Sequence, residues 1–212
     1  MTAQFELYPL FNKPIANTNV PLDDIEQSIL LEYLRTENWN TANQYDKIAD
    51  NTMSKINKNR YVLEKKELFF LKKKIEKVFN EYKNKILRYE NVNFRITTSW
   101  FTKTEYGQKS DFHKHSNCMF SAVFYINQPT NSATIIFKIF EDKNFLTIPV
   151  EWNIYNSTVW TFNPKKHDLL IFPSETYHKI DKHLSNEERY SLALNFLPIG
   201  KIGESDSELC LI

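Results

Sequence analysis

The stretch RYSLALNF, residues 189–196, has two faces. Arg189, Ser191, Ala193 and Asn195 alternate with Tyr190, Leu192, Leu194 and Phe196. Successive side chains of a β-strand point to opposite sides of the sheet, so the second set can pack outward under helices while the first lines an interior. An arginine turned inward is costly unless it holds an anion. A carboxylate is the natural partner for its planar, five-donor fork, and Ser191 can donate one further hydrogen bond to the same group. The stretch therefore predicts a β-barrel with a cationic hook inside.

DFHKHSN, residues 111–117, repeats the period-two logic. In an extended chain His113 and His115 face one side, and Asn117 continues that face. Two imidazoles so placed begin a metal site. LLIFPSETYHKI, residues 169–180, ends an apolar strand in Pro173-Ser174 and delivers His178 after the turn, 178 − 113 = 65 residues beyond the first histidine. A close pair plus one distant ligand is the pattern of a site closed by the fold itself. Iron, zinc or manganese would each accept such ligands. His167 and His183 read as ordinary hydrogen-bonded side chains. Cys118, of opposite parity to the histidines, reads as a small buried apolar residue.

Outward from these stretches, the chain changes character near residue 90. Before it, helical periodicity dominates. Pro21 and the acids Asp23, Asp24 and Glu26 predict a helix to about Arg35, with Leu22, Ile25, Ile29, Tyr33 and Leu34 as its apolar stripe. A second, over about 64–88, is striped by Leu68, Leu71, Ile75, Val78, Phe79, Tyr82 and Ile86. FELYPLF, residues 5–11, reads as a short strand, and the Asn-rich stretch 36–60 as loop. After residue 90, strands are expected over 93–103, 112–127, 133–140, 145–150, 152–160, 167–173, 176–182 and 188–197. Many closely spaced strands after two helices suggest a barrel or sandwich backed by helices.

Composition narrows the function classes. The 212 residues are 42% hydrophobic and 15% aromatic, enough for a sizeable core and weighted towards sheet. Three glycines exclude a Gly-rich phosphate loop or dinucleotide fingerprint. A net charge of +1 gives no global field for nucleic acid or an acidic membrane, and Lys72–Lys74 reads as a solvated helix face. Two cysteines make no disulfide framework. With no leader-like start and no long apolar run, the expectation is a soluble protein of a reducing cytoplasm.

Taken together, ITTSWF (96–101), HKHSNCMFSAVFYI (113–126), SATIIF (132–137), HDLLIFPSETYH (167–178) and ERYSLALNF (188–196) resemble the 2-oxoglutarate- and Fe(II)-dependent oxygenase superfamily, most of all its branch common in marine bacteria and their phages. The likeness covers about residues 93–197. It implies a mainly β protein with flanking helices: a double-stranded β-helix, or cupin-like jelly roll. One domain over 1–212 is expected, with helical support in 1–90, the core in 91–200 and a tail in 201–212. Fe(II), 2-oxoglutarate and O2 would be the cofactors, with ascorbate as reductant, in a bacterial or phage-infected cytoplasm.

On that resemblance His113 is the first metal ligand and His178 the distal one, while His115 stands where the superfamily usually has a carboxylate. Either three imidazoles hold the metal, or His115 stands beside it and water or Asn117 completes the sphere. Arg189 and Ser191 would hold the far carboxylate of 2-oxoglutarate, Tyr125 would hydrogen-bond the acid and Trp100 would line the substrate mouth. The activity implied is hydroxylation of a peptide, protein or small molecule, prolyl residues being the analogy. The alternatives are a cupin-like three-histidine dioxygenase needing no 2-oxo acid, to which Arg189 would be superfluous, and a non-catalytic metal-binding barrel.

Overall fold

The computed structural model describes residues 13–41, 52–140 and 148–211. The strand expected over 5–11 lies outside them, as do parts of the stretches 36–60 and 145–150. The elements run β1 (Ala16–Asn19), α1 (Asp24–Thr36), β2 (Trp39–Thr41), β3 (Lys55–Asn57), α2 (Phe69–Lys85), β4 (Asn93–Thr104), β5 (Phe120–Tyr125), β6 (Ile135–Lys138), β7 (Val159–Phe162), β8 (Asp168–Pro173), β9 (Tyr177–Ile180), β10 (Arg189–Ile202) and β11 (Leu209–Leu211). They form a large sheet in the order β1-β8-β5-β10-β4-β3-β2, with β11 folding back on β10, and a small sheet β7-β6-β9.

Strand β10 is the hub, pairing antiparallel with β4 on one side and β5 on the other. Its outward residues Leu192, Leu194 and Phe196 join a core with Leu71, Ile75 and Phe79 of α2 and Leu30 and Leu34 of α1. Phe79 stacks on Phe196 with centroids 3.8 Å apart and meets Phe94 and Phe120 edge-on. The inner faces of the two sheets meet in a second cluster built from Val123, Tyr125, Ile135, Phe137, Leu170 and Phe172.

Local chemistry moves several expected boundaries. Helix α1 begins after Asp23, whose carboxylate accepts the Glu26 N–H at 2.8 Å while Glu26 accepts the Asp23 N–H. This capping box, rather than Pro21, sets the start. The buried stripe is accordingly Leu30 and Leu34, and Ile25 and Ile29 are exposed. Two 3-10 turns, Val62–Glu64 and Lys66–Leu68, precede α2, and Ile86 lies exposed beyond its end. Lys72 pairs with Glu64 and Lys74 with Glu26, so the lysine run ties the helical layer together. Short strands β2 and β3 occupy part of the stretch read as loop. The expected strand 112–127 begins only at Phe120, because Asn117 adopts a left-handed backbone with φ 59°. Residues 152–158 form no strand, and Cys118 is partly exposed rather than buried.

His167 also has positive φ, 67°. It holds that turn through its side chain: Nδ1 accepts the Leu22 N–H, Nε2–H donates to Gln27 Oε1 at 2.7 Å, and the ring stacks on Phe124. Among the described residues no helix is long and apolar enough to cross a membrane.

Phe79→Ala should destabilise the fold by about 3–5 kcal/mol, because it empties the centre of this ring cluster. Urea unfolding checks it; a loss of under about 1 kcal/mol would show that the cluster contributes little.

Candidate metal centre and active site

Backbone pairing builds the histidine cluster. Segment 111–115 adds to the edge of β9, and His113 and His178 exchange both main-chain hydrogen bonds, at 3.0 and 2.9 Å. The His115 N–H donates to the Ser174 carbonyl. Ring centroids lie 4.4 Å apart for His113 and His178, 5.5 Å for His113 and His115, and 5.1 Å for His115 and His178. One ring nitrogen from each lies within 4.8 Å of those of the other two.

Each imidazole is also oriented from behind. Nδ1 of His113 meets the Asp111 carbonyl at 2.8 Å, and that of His178 meets the Thr176 carbonyl at 3.0 Å. Nδ1 of His115 meets Asn195 Oδ1 at 2.7 Å and Ser121 Oγ at 2.9 Å. Asn195 is held in turn by donation from its Nδ2 to Thr98 Oγ1 at 2.9 Å. Oxygen acceptors at all three Nδ1 positions place the proton there and leave the Nε2 lone pairs for a metal. Burial pushes His178 down to about 3 and His115 down to about 4. The neighbouring imidazoles push both the same way, against the Thr176 and Asn195 hydrogen bonds that favour their charged forms. Both rings are therefore neutral at pH 7, the form a metal requires.

The rings form one wall of a cavity of about 110 Å³. Strand parity supplies most of the rest: Trp100 and Thr102 from β4, Val123 from β5, Ile135 from β6, Ile180 from β9, and Ser191 and Ala193 from β10. The registers Ala193↔Trp100, Ala193↔Val123 and Ser191↔Tyr125 put these residues in rows across the sheet.

Beyond Ser191, Arg189 is fully buried. Its Nε donates to Gln128 Oε1 at 3.2 Å, Nη1 reaches Thr104 Oγ1 at 3.5 Å, and the guanidinium lies 4.9 Å from the Tyr125 ring centroid. Thr104 Oγ1 is 3.0 Å from Ser54 Oγ on the cavity wall. Arg189 forms no ion pair among the described residues. Its Nη2 and the hydroxyl of Tyr125 are both buried without a hydrogen-bond partner there. Burial lowers the Arg189 pKa and pushes the Tyr125 phenol up to about 12, so the phenol keeps its proton and remains a donor.

The structure thus brings His113, His115, His178, Trp100 and Ser191 around one cavity, with Arg189 and Tyr125 packed together just beyond Ser191. It does not bring Asn117, which is exposed in its left-handed turn and lies off the cavity wall. The acceptors behind His115 and the hook's neighbours Gln128 and Thr104 escaped the sequence reading. The position of Asn195 on the inward face of β10 was the one available signal. His183 is buried and structural, accepting the Ala133 N–H and donating to the Glu187 carbonyl.

Residues 98–195 match the family model described as "Putative 2OG-Fe(II) oxygenase". Over this stretch, a little under half of its length, the chain is similar to 2-oxoglutarate- and Fe(II)-dependent oxygenases. Solved structures of the same architecture include a prolyl-4-hydroxylase of Pseudomonas putida, at 15% identity and TM-score 0.60, covering 89% of this chain and 95% of that one. A Trichoplax adhaerens prolyl hydroxylase in complex with a hypoxia inducible factor peptide fragment gives 12% and 0.59, over 86% and 83%. HygX of Streptomyces hygroscopicus, with nickel, 2-oxoglutarate and hygromycin B bound, gives 10% and 0.60, over 88% and 83%. The two-sheet arrangement is the double-stranded β-helix. No curated protein gives a significant sequence match.

The depressed histidines make stability depend on pH. The unfolded chain takes up protons near pH 6.5, while folded His115 and His178 do so only near 4 and 3. Between these values the unfolded state binds more protons, so acidification destabilises the fold. Metal-free protein should lose about 2–4 kcal/mol between pH 7 and 5, read as a lower urea midpoint. A flat profile would show that these rings are not held neutral.

Proposed function

We propose that this chain is a non-haem Fe(II) dioxygenase that couples decarboxylation of 2-oxoglutarate to hydroxylation of a substrate, prolyl residues of a peptide or protein being the favoured class. The observation that carries the reading is the buried guanidinium of Arg189, with no acidic partner among the described residues and Nη2 unbonded, packed against the Tyr125 phenol as its electrostatic neighbour. A charge removed from water without a counter-ion is strongly unfavourable. An incoming carboxylate answers that charge. A three-histidine dioxygenase without a 2-oxo acid would leave it unexplained.

The residues fit the implied groups. His113, His115 and His178 would hold Fe(II), the three imidazoles suiting a divalent transition metal. Fe(II), when bound, would supply the coordination of the 2-oxo acid and the activation of O2, with 2-oxoglutarate as the two-electron reductant that leaves as succinate and CO2. The protein does the remainder. Asp111, Asn195 and Thr176 aim the rings. Arg189 and Tyr125 donate to the far carboxylate, with Ser191 between them and the imidazoles. Val123, Ile135 and Ile180 keep water from the cavity, and Trp100, its ring 5.5 Å from that of His115, borders the place where substrate would enter. The prolyl class is supported by the two prolyl hydroxylases of matching architecture.

With Fe(II), ascorbate, 2-oxoglutarate and air, the chain should form succinate in step with hydroxylation of a proline-containing peptide. Succinate formation with no peptide hydroxylated would overturn the prolyl assignment, and no succinate with any of a panel of peptides and small molecules would overturn the oxygenase reading. Arg189→Ala should weaken 2-oxoglutarate binding about a hundredfold or more in calorimetry while metal stays bound; unchanged affinity would reject the hook. His178→Ala should abolish Fe(II) binding by elemental analysis. His115→Ala should do the same, and iron retained there would place His115 beside the metal rather than on it.

A further inference from the structure

We propose that a second cavity, separate from the one the imidazoles line, binds a small amphipathic carboxylic acid. It has a volume of about 310 Å³, within the range of small-molecule sites. Its walls are largely apolar, with Ile15, Ile139, Val159 and Trp160 prominent. Two polar atoms interrupt them. The hydroxyls of Ser157 and Thr176 both belong to lining residues, and both are buried without a hydrogen-bond partner among the described residues. Thr176 is 6% exposed.

Hydroxyls removed from water and left unpaired are unfavourable. A ligand group that accepts from both would answer them. The wall carries no acidic residue and two lysines: Lys13 pairs with Glu175 at 3.7 Å, and Lys138, with no ion-pair partner among the described residues, lies over the Phe112 and Phe140 rings. A carboxylate therefore suits the polar end better than an amine, and the apolar walls call for a hydrocarbon or aromatic body. The cavity also touches the metal-site scaffold. The carbonyl of Thr176 orients His178, and the ring of Phe137, another lining residue, lies 5.9 Å from that of His178.

The test uses the full chain, with octanoate and octylamine as probes in calorimetry and Trp fluorescence. Octanoate should saturate a single site and shift the indole emission, and octylamine should not compete for it. Ser157→Ala combined with Thr176→Val should weaken octanoate roughly tenfold. Val159→Trp should block it by filling the space, with an unchanged melting temperature and unchanged Fe(II) affinity showing that the fold survives. Absence of saturable binding, equal affinity for the amine, or binding untouched by these substitutions would overturn the proposal. So would self-association of the chain through this face that octanoate does not reverse.

Discussion

The strand Arg189–Ile202 constrains everything else. Its period of two commits alternate residues to opposite worlds: Leu192, Leu194 and Phe196 to the helical layer, Arg189, Ser191, Ala193 and Asn195 to the interior. A slip of one residue would bury the polar set under α2 and turn the apolar set into the cavity, so the register is strongly specified. From that register follow the position of the guanidinium, the cavity wall at Ser191 and Ala193, and the acceptor Asn195 behind His115. Helix α2 matters to the site for this reason. The stacked pair Phe79–Phe196 anchors the outer face of the strand that carries the hook.

The histidine in the third ligand position changes the electrostatics of the proposed centre. Three neutral imidazoles offset none of the charge of a divalent metal, and Arg189 adds another positive group beyond Ser191. A dicarboxylate spanning from the metal to the guanidinium offsets two of those charges, which favours a doubly charged cosubstrate over a neutral one. Burial has already suppressed protonation of His115 and His178, so metal need displace no proton from either. What replaces the usual carboxylate is a neutral ring with its own support, the chain His115–Asn195–Thr98. That support explains how an imidazole sits in a largely apolar wall without an unsatisfied nitrogen.

Much of this was legible in residue order because period-two and period-three-to-four patterns depend on burial alone. RYSLALNF, the 113/115 pair and the helical stripe of Leu71, Ile75 and Phe79 each declared a face. Boundaries set by side chain to backbone hydrogen bonds were less legible. Asp23 took the cap expected at Pro21, and the left-handed Asn117 split the extended run expected over 112–127, so that the strand starts only at Phe120. The neighbours of the guanidinium were invisible for another reason. Gln128 and Thr104 lie 61 and 85 residues from Arg189 and meet it only through the sheet. The unpaired hydroxyls of Ser157 and Thr176 are likewise a property of packing, not of any local pattern.

The central claim is that three imidazoles and one buried guanidinium hold a metal and a dicarboxylate in the same barrel. Visible absorption of the anaerobic protein loaded with Fe(II) tests it most directly, recorded as 2-oxoglutarate is added. A new metal-to-ligand charge-transfer band should grow to one equivalent and be lost when Arg189 is replaced. A spectrum unchanged by 2-oxoglutarate, in protein shown to retain its iron, would contradict it.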